Sequence, residues 1–111
     1  MRRRISPADR VLRDVAESDF QDDIVEKATW LGFRVFHVYD SRKSIGEGFP
    51  DLVMVKPPRL LFVELKRETG TVSPKQLEWL GALMMCPQVE VHVWKPRDTD
   101  AALRVLEGKI G

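Results

Sequence analysis

Two apolar runs, Leu52-Val53-Met54-Val55 and Leu60-Leu61-Phe62-Val63, flank Lys56-Pro57-Pro58-Arg59, and no other part of the chain constrains the fold as strongly. Unbroken apolarity over a short run suits strands covered on both faces, central in a sheet. Proline cannot donate to a β ladder, so Pro57 and Pro58 belong to the connection. The runs therefore predict an antiparallel hairpin symmetric about Pro57-Pro58, in which opposed residues have numbers summing to 115. Carried outward, this register sets Asp51 against Glu64, with Cβ atoms about 5 Å apart. Lys66 lies two residues beyond Glu64 and projects to the same side, because side chains alternate along a strand. Two carboxylates and an ammonium then converge at one end of the sheet.

Like charges directly opposed on a strand pair are destabilising, and buried carboxylates take up protons instead. A divalent cation between them removes the conflict, and an all-oxygen donor set suits Mg²⁺ or Mn²⁺. Such an ion activates water and stabilises charge on a phosphoryl oxygen. Lys66 would orient that water and neutralise the developing charge. The same residues also fit a solvated Glu64–Lys66 pair with Asp51 capping a turn after Pro50. A register slip of one residue would put the two acids on opposite faces.

Around the hairpin the pattern predicts helix, three strands, helix, strand, helix, a mixed sheet with helices on its faces. A first helix is expected from about Asp14 or Ser18 to Leu31, with Phe20, Ile24, Ala28 and Leu31 at helical spacing and Gly32 just past its end. Glu17 and Gln21 share the inward stripe of Ile24 and Ala28, whereas Asp19 projects elsewhere. Residues 34–39 read as the first strand, and 40–48, DSRKSIGEG, as a loop. Ser73, Pro74 and Gln76 announce a helix start with a capping box. Leu77, Leu80 and Met84 supply that helix's expected apolar stripe, with Cys86 and the nearby methionines in helix-end core. Val89, Val91 and Val93 alternate with Glu90, His92 and Trp94 as a fourth strand, and 98–107 forms a short last helix. His37 fits a core or site-edge position. Trp30, Trp79 and Trp94 fit packing or a dimer interface better than base stacking.

At 111 residues, 43% hydrophobic and 32% charged, the chain reads as one globular domain spanning 1–111. Its apolar runs fall far short of the roughly 20 residues of a membrane span. Arg2, Arg3 and Arg4 are not followed by an apolar stretch, so no secretory signal is expected. Cys86 stands alone, which excludes a disulfide framework and makes a cytoplasmic setting the expectation. The net charge of +1 conceals segregation: residues 1–13 carry five arginines against Asp9, while 14–28 carry six acids against Lys27. The first segment reads as a basic, mobile arm. Arg42, Lys43 and Ser44, just before Gly48, suit phosphate contacts.

Gly48-Phe49-Pro50-Asp51-Leu52, then Glu64-Leu65-Lys66, then Gln76, resembles the PD-(D/E)XK nucleases. The fuller set, ESDFQ, GFPDLVMV, LLFVELKRETGTVSPKQLEWL and VEVHVWKP, is similar to the VRR-NUC family (virus-type replication-repair nuclease) over residues 17–96. This resemblance implies a restriction-endonuclease-like fold of mixed α/β (α+β) type with an αβββαβ core, a four-stranded mixed sheet and, here, an added short C-terminal helix. It implies that Asp51 and Glu64 are metal-binding acids and Lys66 the catalytic lysine, with the backbone carbonyl of Leu65 as a further ligand. Glu17 matches the acid contributed by the first helix, and Gln21 and Gln76 match glutamines that line such sites. Gln76 equally fits its capping box.

The implied activity is Mg²⁺- or Mn²⁺-dependent hydrolysis of phosphodiester bonds in DNA, without a covalent intermediate. Small stand-alone members of the family are associated with phage and bacteria and with branched DNA. A four-way (Holliday) junction has two strands to cut, which suits a two-fold homodimer. Junction resolution is therefore the expected activity, and flap or general structure-selective cleavage its nearest rival. A non-catalytic DNA-binding module would be marked by loss of an acid or the lysine, and all are present. DNA contacts are expected from Arg2, Arg3, Arg4, Gln21, Arg42, Lys43 and Ser44.

Overall fold

The computed structural model of the chain describes residues 5–39 and 45–109. A short helix, α1 (Pro7–Asp14), precedes the longer α2 (Glu17–Trp30), and the sheet follows as β1 (Arg34–His37), β2 (Leu52–Lys56) and β3 (Arg59–Leu65). Next come α3 (Pro74–Met84), β4 (Glu90–Trp94), a 3-10 turn (Pro96–Asp98) and α4 (Thr99–Leu106). From α2 to β4 this is the αβββαβ order, a four-stranded mixed sheet flanked by helices, with α4 as the C-terminal addition.

The strands lie in the order β1-β2-β3-β4. β1 and β2 are antiparallel, as are β2 and β3, whereas β3 and β4 are parallel and need the crossover that α3 supplies. The hairpin has the expected register: Leu52 pairs with Val63 and Lys56 with Arg59, each pair summing to 115. Equal apolar runs on either side of two prolines leave one pairing that buries every second residue on the same face.

That face is the core. Leu52, Met54, Leu61, Val63 and Leu65 are fully buried against Phe20, Ile24 and Ala28 of α2 and Ala102 and Leu106 of α4. Burying each large side chain contributes roughly 1.5–3 kcal/mol. The opposite face is covered in part. Val53, Val55, Leu60 and Phe62 are half-buried, Phe36 is exposed, and α3 lies over the β4 side with Leu80 buried.

Two expectations change. Residues 7–14 form a helix ahead of the expected first one, although none of them is buried. The Ser6 hydroxyl accepts the Asp9 N–H at 3.1 Å and Pro7 takes the first helical position, so local capping forms this helix without core contacts. Met84, Met85 and Cys86 are exposed rather than core. α3 turns Gln76, Trp79, Leu80 and Leu83 toward the sheet, while Leu77 and Met84 face outward at 58% and 61% exposure. Among the described residues no helix is long and apolar enough to cross a membrane.

Candidate active site

The site forms where the hairpin ends meet α2 and the first turn of α3. Val38 donates its N–H to the Asp51 carbonyl at 2.7 Å, so β1–β2 pairing runs one step past His37↔Leu52. Asp51 is thereby held at the head of β2, opposite Glu64 by continuation of the register. Its Oδ2 accepts the Leu65 N–H at 2.8 Å, tying the carboxylate to the backbone of the facing strand. Gly48 is what lets the preceding loop sit this close. Its φ is +88°, and a Cβ there would fall 2.6–2.8 Å from backbone atoms of Lys75 and Gln76. Phe49 packs edge-on against Phe62 of the sheet and Trp79 of α3, so the loop is wedged between the two elements.

Gln76 takes part in both the capping box and the cleft, because an amide has two ends. Its Oε1 accepts the Ser73 N–H at 2.8 Å, completing the capping box, and its Nε2 donates to Glu64 Oε2 at 2.8 Å. Lys66 Nζ stands 3.4 Å from the same oxygen, with its side chain only 15% exposed. Among the described residues the other oxygen, Glu64 Oε1, is buried without a hydrogen-bond partner. Burial first, and the Asp51 carboxylate second, push Glu64 up from 4.5 to about 7 against the lowering pull of Lys66. Burial and then Asp51 raise Glu17 as well.

Glu17 and Gln21 enter from α2 and line the same cleft of about 760 Å³ as Asp51 and Gln76. The cleft also holds His37, which lies at the site edge with Nδ1 3.5 Å from Gln21 Nε2. Sequence reasoning missed Tyr39, Glu47 and Lys75 as lining residues. They sit at a strand end, in a turn and at a helix start, where no periodicity marks a function. Glu68 was missed too. It is buried, accepts the Arg97 N–H at 3.2 Å and pairs with the Arg97 side chain, pinning the segment after Lys66 to the turn after β4. Arg2, Arg3, Arg4, Arg42, Lys43 and Ser44 lie outside the described residues.

Among the described residues no three His, Cys, Asp or Glu side chains form a ready metal cage. Asp51 and Glu64 make a pair, and Glu17 lines the cleft without joining them. A pair is enough for Mg²⁺, which commonly takes one or two carboxylates and keeps several waters. The donor chemistry also fits, since an anionic oxygen shut away from water without a donor is unfavourable until something positive meets it.

Residues 7–97, from α1 through the last sheet strand to the turn beyond it, match the VRR-NUC domain. The chain belongs to the VRR-NUC family. The VRR-NUC domain is a nuclease domain, so DNA is its substrate. No curated protein and no solved structure matches the chain. Within the VRR-NUC match lie all the elements that build the cleft; only α4 falls beyond it.

Proposed function

We propose that this VRR-NUC domain is a Mg²⁺- or Mn²⁺-dependent endonuclease that hydrolyses phosphodiester bonds in branched DNA, resolving four-way junctions as a homodimer. The observation that carries the reading is the buried Glu64 between Asp51, Lys66 and Gln76, with one oxygen unpartnered among the described residues. Asp51, Glu64 and the Leu65 carbonyl would hold the ion, with Glu17 as a further oxygen donor. The bound ion supplies an acidified water and a positive charge facing the scissile phosphate. Gln76 fixes the rotamer of Glu64 by donating to Oε2, and the Leu65 N–H fixes Asp51. Lys66 carries the positive charge that meets the phosphoryl oxygens as negative charge builds there.

The homodimer reading is supported by the outward face of α3. Leu77, Gly81, Met84 and Met85 lie along it, exposed, and a Cβ on Gly81 would meet nothing within 4 Å. Leu77 stands four residues before Gly81, and Met84 and Met85 three and four after it. An antiparallel second α3 crossing at Gly81 would set Leu77 of each copy over the methionines of the other, as a self-complementary two-fold contact requires.

The test is cleavage of labelled four-way junction, flap and linear duplex with Mg²⁺, Mn²⁺ or EDTA. Junction cutting with either metal and none in EDTA is expected, with Asp51→Ala and Lys66→Ala cutting at least about 10²-fold more slowly but still binding junction. Wild type that binds all three DNAs and cuts none would overturn the reading. Preference for the flap would replace junction resolution with flap cleavage.

A further inference from the structure

The wall of the cleft on the β1 side carries an aromatic pair that the proposed hydrolysis does not use. His37 and Tyr39 flank Val38, the residue hydrogen-bonded to the Asp51 carbonyl. By alternation from Val38 they project to the face that α2 covers, and they meet Asp51 where the cleft wraps the end of the sheet. The two rings lie 4.6 Å apart between centroids at 44°, and both line the cleft. Gln21 stands against His37 from α2. Tyr39 is nonetheless 79% exposed, so most of its ring faces solvent at the mouth of the site rather than a core.

What could cover that ring is narrowed by the cleft itself. Its volume of about 760 Å³ is that of a small-ligand pocket, room for a nucleotide rather than a paired helix. Among the described residues Glu17, Glu47 and Asp51 line it against Lys75, a balance that does not favour further phosphates beyond the scissile one. A flat, uncharged π-face suits it, and aromatic side chains bind single-stranded nucleic acid by stacking on bases whatever their identity.

We propose that His37 and Tyr39 form a stacking platform for an unpaired nucleobase next to the scissile phosphate. The substrates cut best are then DNAs that present an unstacked nucleotide at the cleavage position, as branch points and flaps do. This inference rests on the nuclease reading but concerns which nucleotide the cleft accepts. Both residues are specificity-determining rather than catalytic, since neither meets the reacting atoms.

The experiment is 2-aminopurine fluorescence of labelled DNA bound to the full chain in EDTA. The probe is placed once at an unpaired branch-point position and once inside a paired arm. Binding quenches the unpaired probe and leaves the paired one unchanged. Tyr39→Phe preserves the quenching, whereas Tyr39→Leu abolishes it and weakens binding of the branched DNA about tenfold, with no change for linear duplex. Tyr39 is too exposed for either substitution to threaten folding. Wild type that binds without quenching, or Tyr39→Leu weakening both DNAs alike, overturns the platform. Cleavage is scored separately with Mg²⁺ and Mn²⁺. A protein that quenches but never cuts loses the nuclease reading and keeps the platform; one that cuts without quenching loses the platform alone.

Discussion

Replacing Glu64 by Gln separates the electrostatic cost of the site from its packing. Glu64 is pushed from 4.5 to about 7, chiefly by burial and then by Asp51. Between those values the native protein holds a proton that the unfolded chain has released. Stability therefore falls as pH rises from about 4.5 to about 7, and the loss is complete above that window. The size of the shift corresponds to roughly 3 kcal/mol. Glutamine cannot ionise, so Glu64→Gln lacks this slope. It instead carries a pH-independent offset of about 1–3 kcal/mol, because an amide end would occupy the place of the unpartnered Oε1. Glu17 is raised by burial and then by Asp51, against the lowering pull of Lys66 and Arg67, and not by Glu64, so its contribution cancels in the comparison. Urea denaturation of both proteins in EDTA from pH 5 to 8.5 checks this. The variant should be the less stable at pH 5, and the gap should close or reverse by pH 8. Added Mg²⁺ should stabilise wild type increasingly as pH rises and leave the variant unchanged, since only the carboxylate pair gains by meeting a cation. Stability curves that run parallel across the whole range, or equal stabilisation of both proteins by Mg²⁺, would refute the argument.

Lys66→Ala should lower the cleavage rate about 10²–10³-fold with little change in junction affinity, measured by single-turnover kinetics and anisotropy. Gly48→Ala should cost about 1–3 kcal/mol in thermal unfolding, because it combines φ +88° with a Cβ 2.6 Å from the Lys75 backbone. Gln76→Ala should cost about 1–2 kcal/mol through the lost capping box and also slow cleavage. Leu77→Glu should shift light scattering from twice 12.8 kDa to 12.8 kDa, and wild type that is already monomeric at working concentration would remove the dimer.

How far the sequence carries depends on whether a feature follows from a period or from a contact. The hairpin register was legible because two apolar runs of equal length bracket two prolines, and any slip would turn Met54 or Leu61 out of the core. That register alone places Asp51 opposite Glu64. The start of α3 was legible for a different reason, since capping is local and Ser73, Pro74 and Gln76 state it in four residues. The phase of α3 was not. Leu77, Leu80, Leu83 and Met84 are all apolar, so two helical stripes fit equally, and only the wedge of Phe49 against Trp79 selects between them. α1 shows the converse case. It buries nothing, so a search for apolar periodicity passes over it, yet Ser6-Pro7-Ala8-Asp9 caps it.

The properties that distinguish the site belong to the second kind. The unpartnered oxygen of Glu64 arises because its other oxygen is shared by an amide from α3 and an ammonium from its own strand, a three-way meeting that no spacing encodes. Gln76 binds the two together: the glutamine whose carbonyl starts α3 is the one whose amide clamps Glu64. Helix start and carboxylate position are therefore a single structural variable. Moving the cap by one residue would release Glu64, so the stability of the α3 N-terminus and the geometry of the site cannot vary independently.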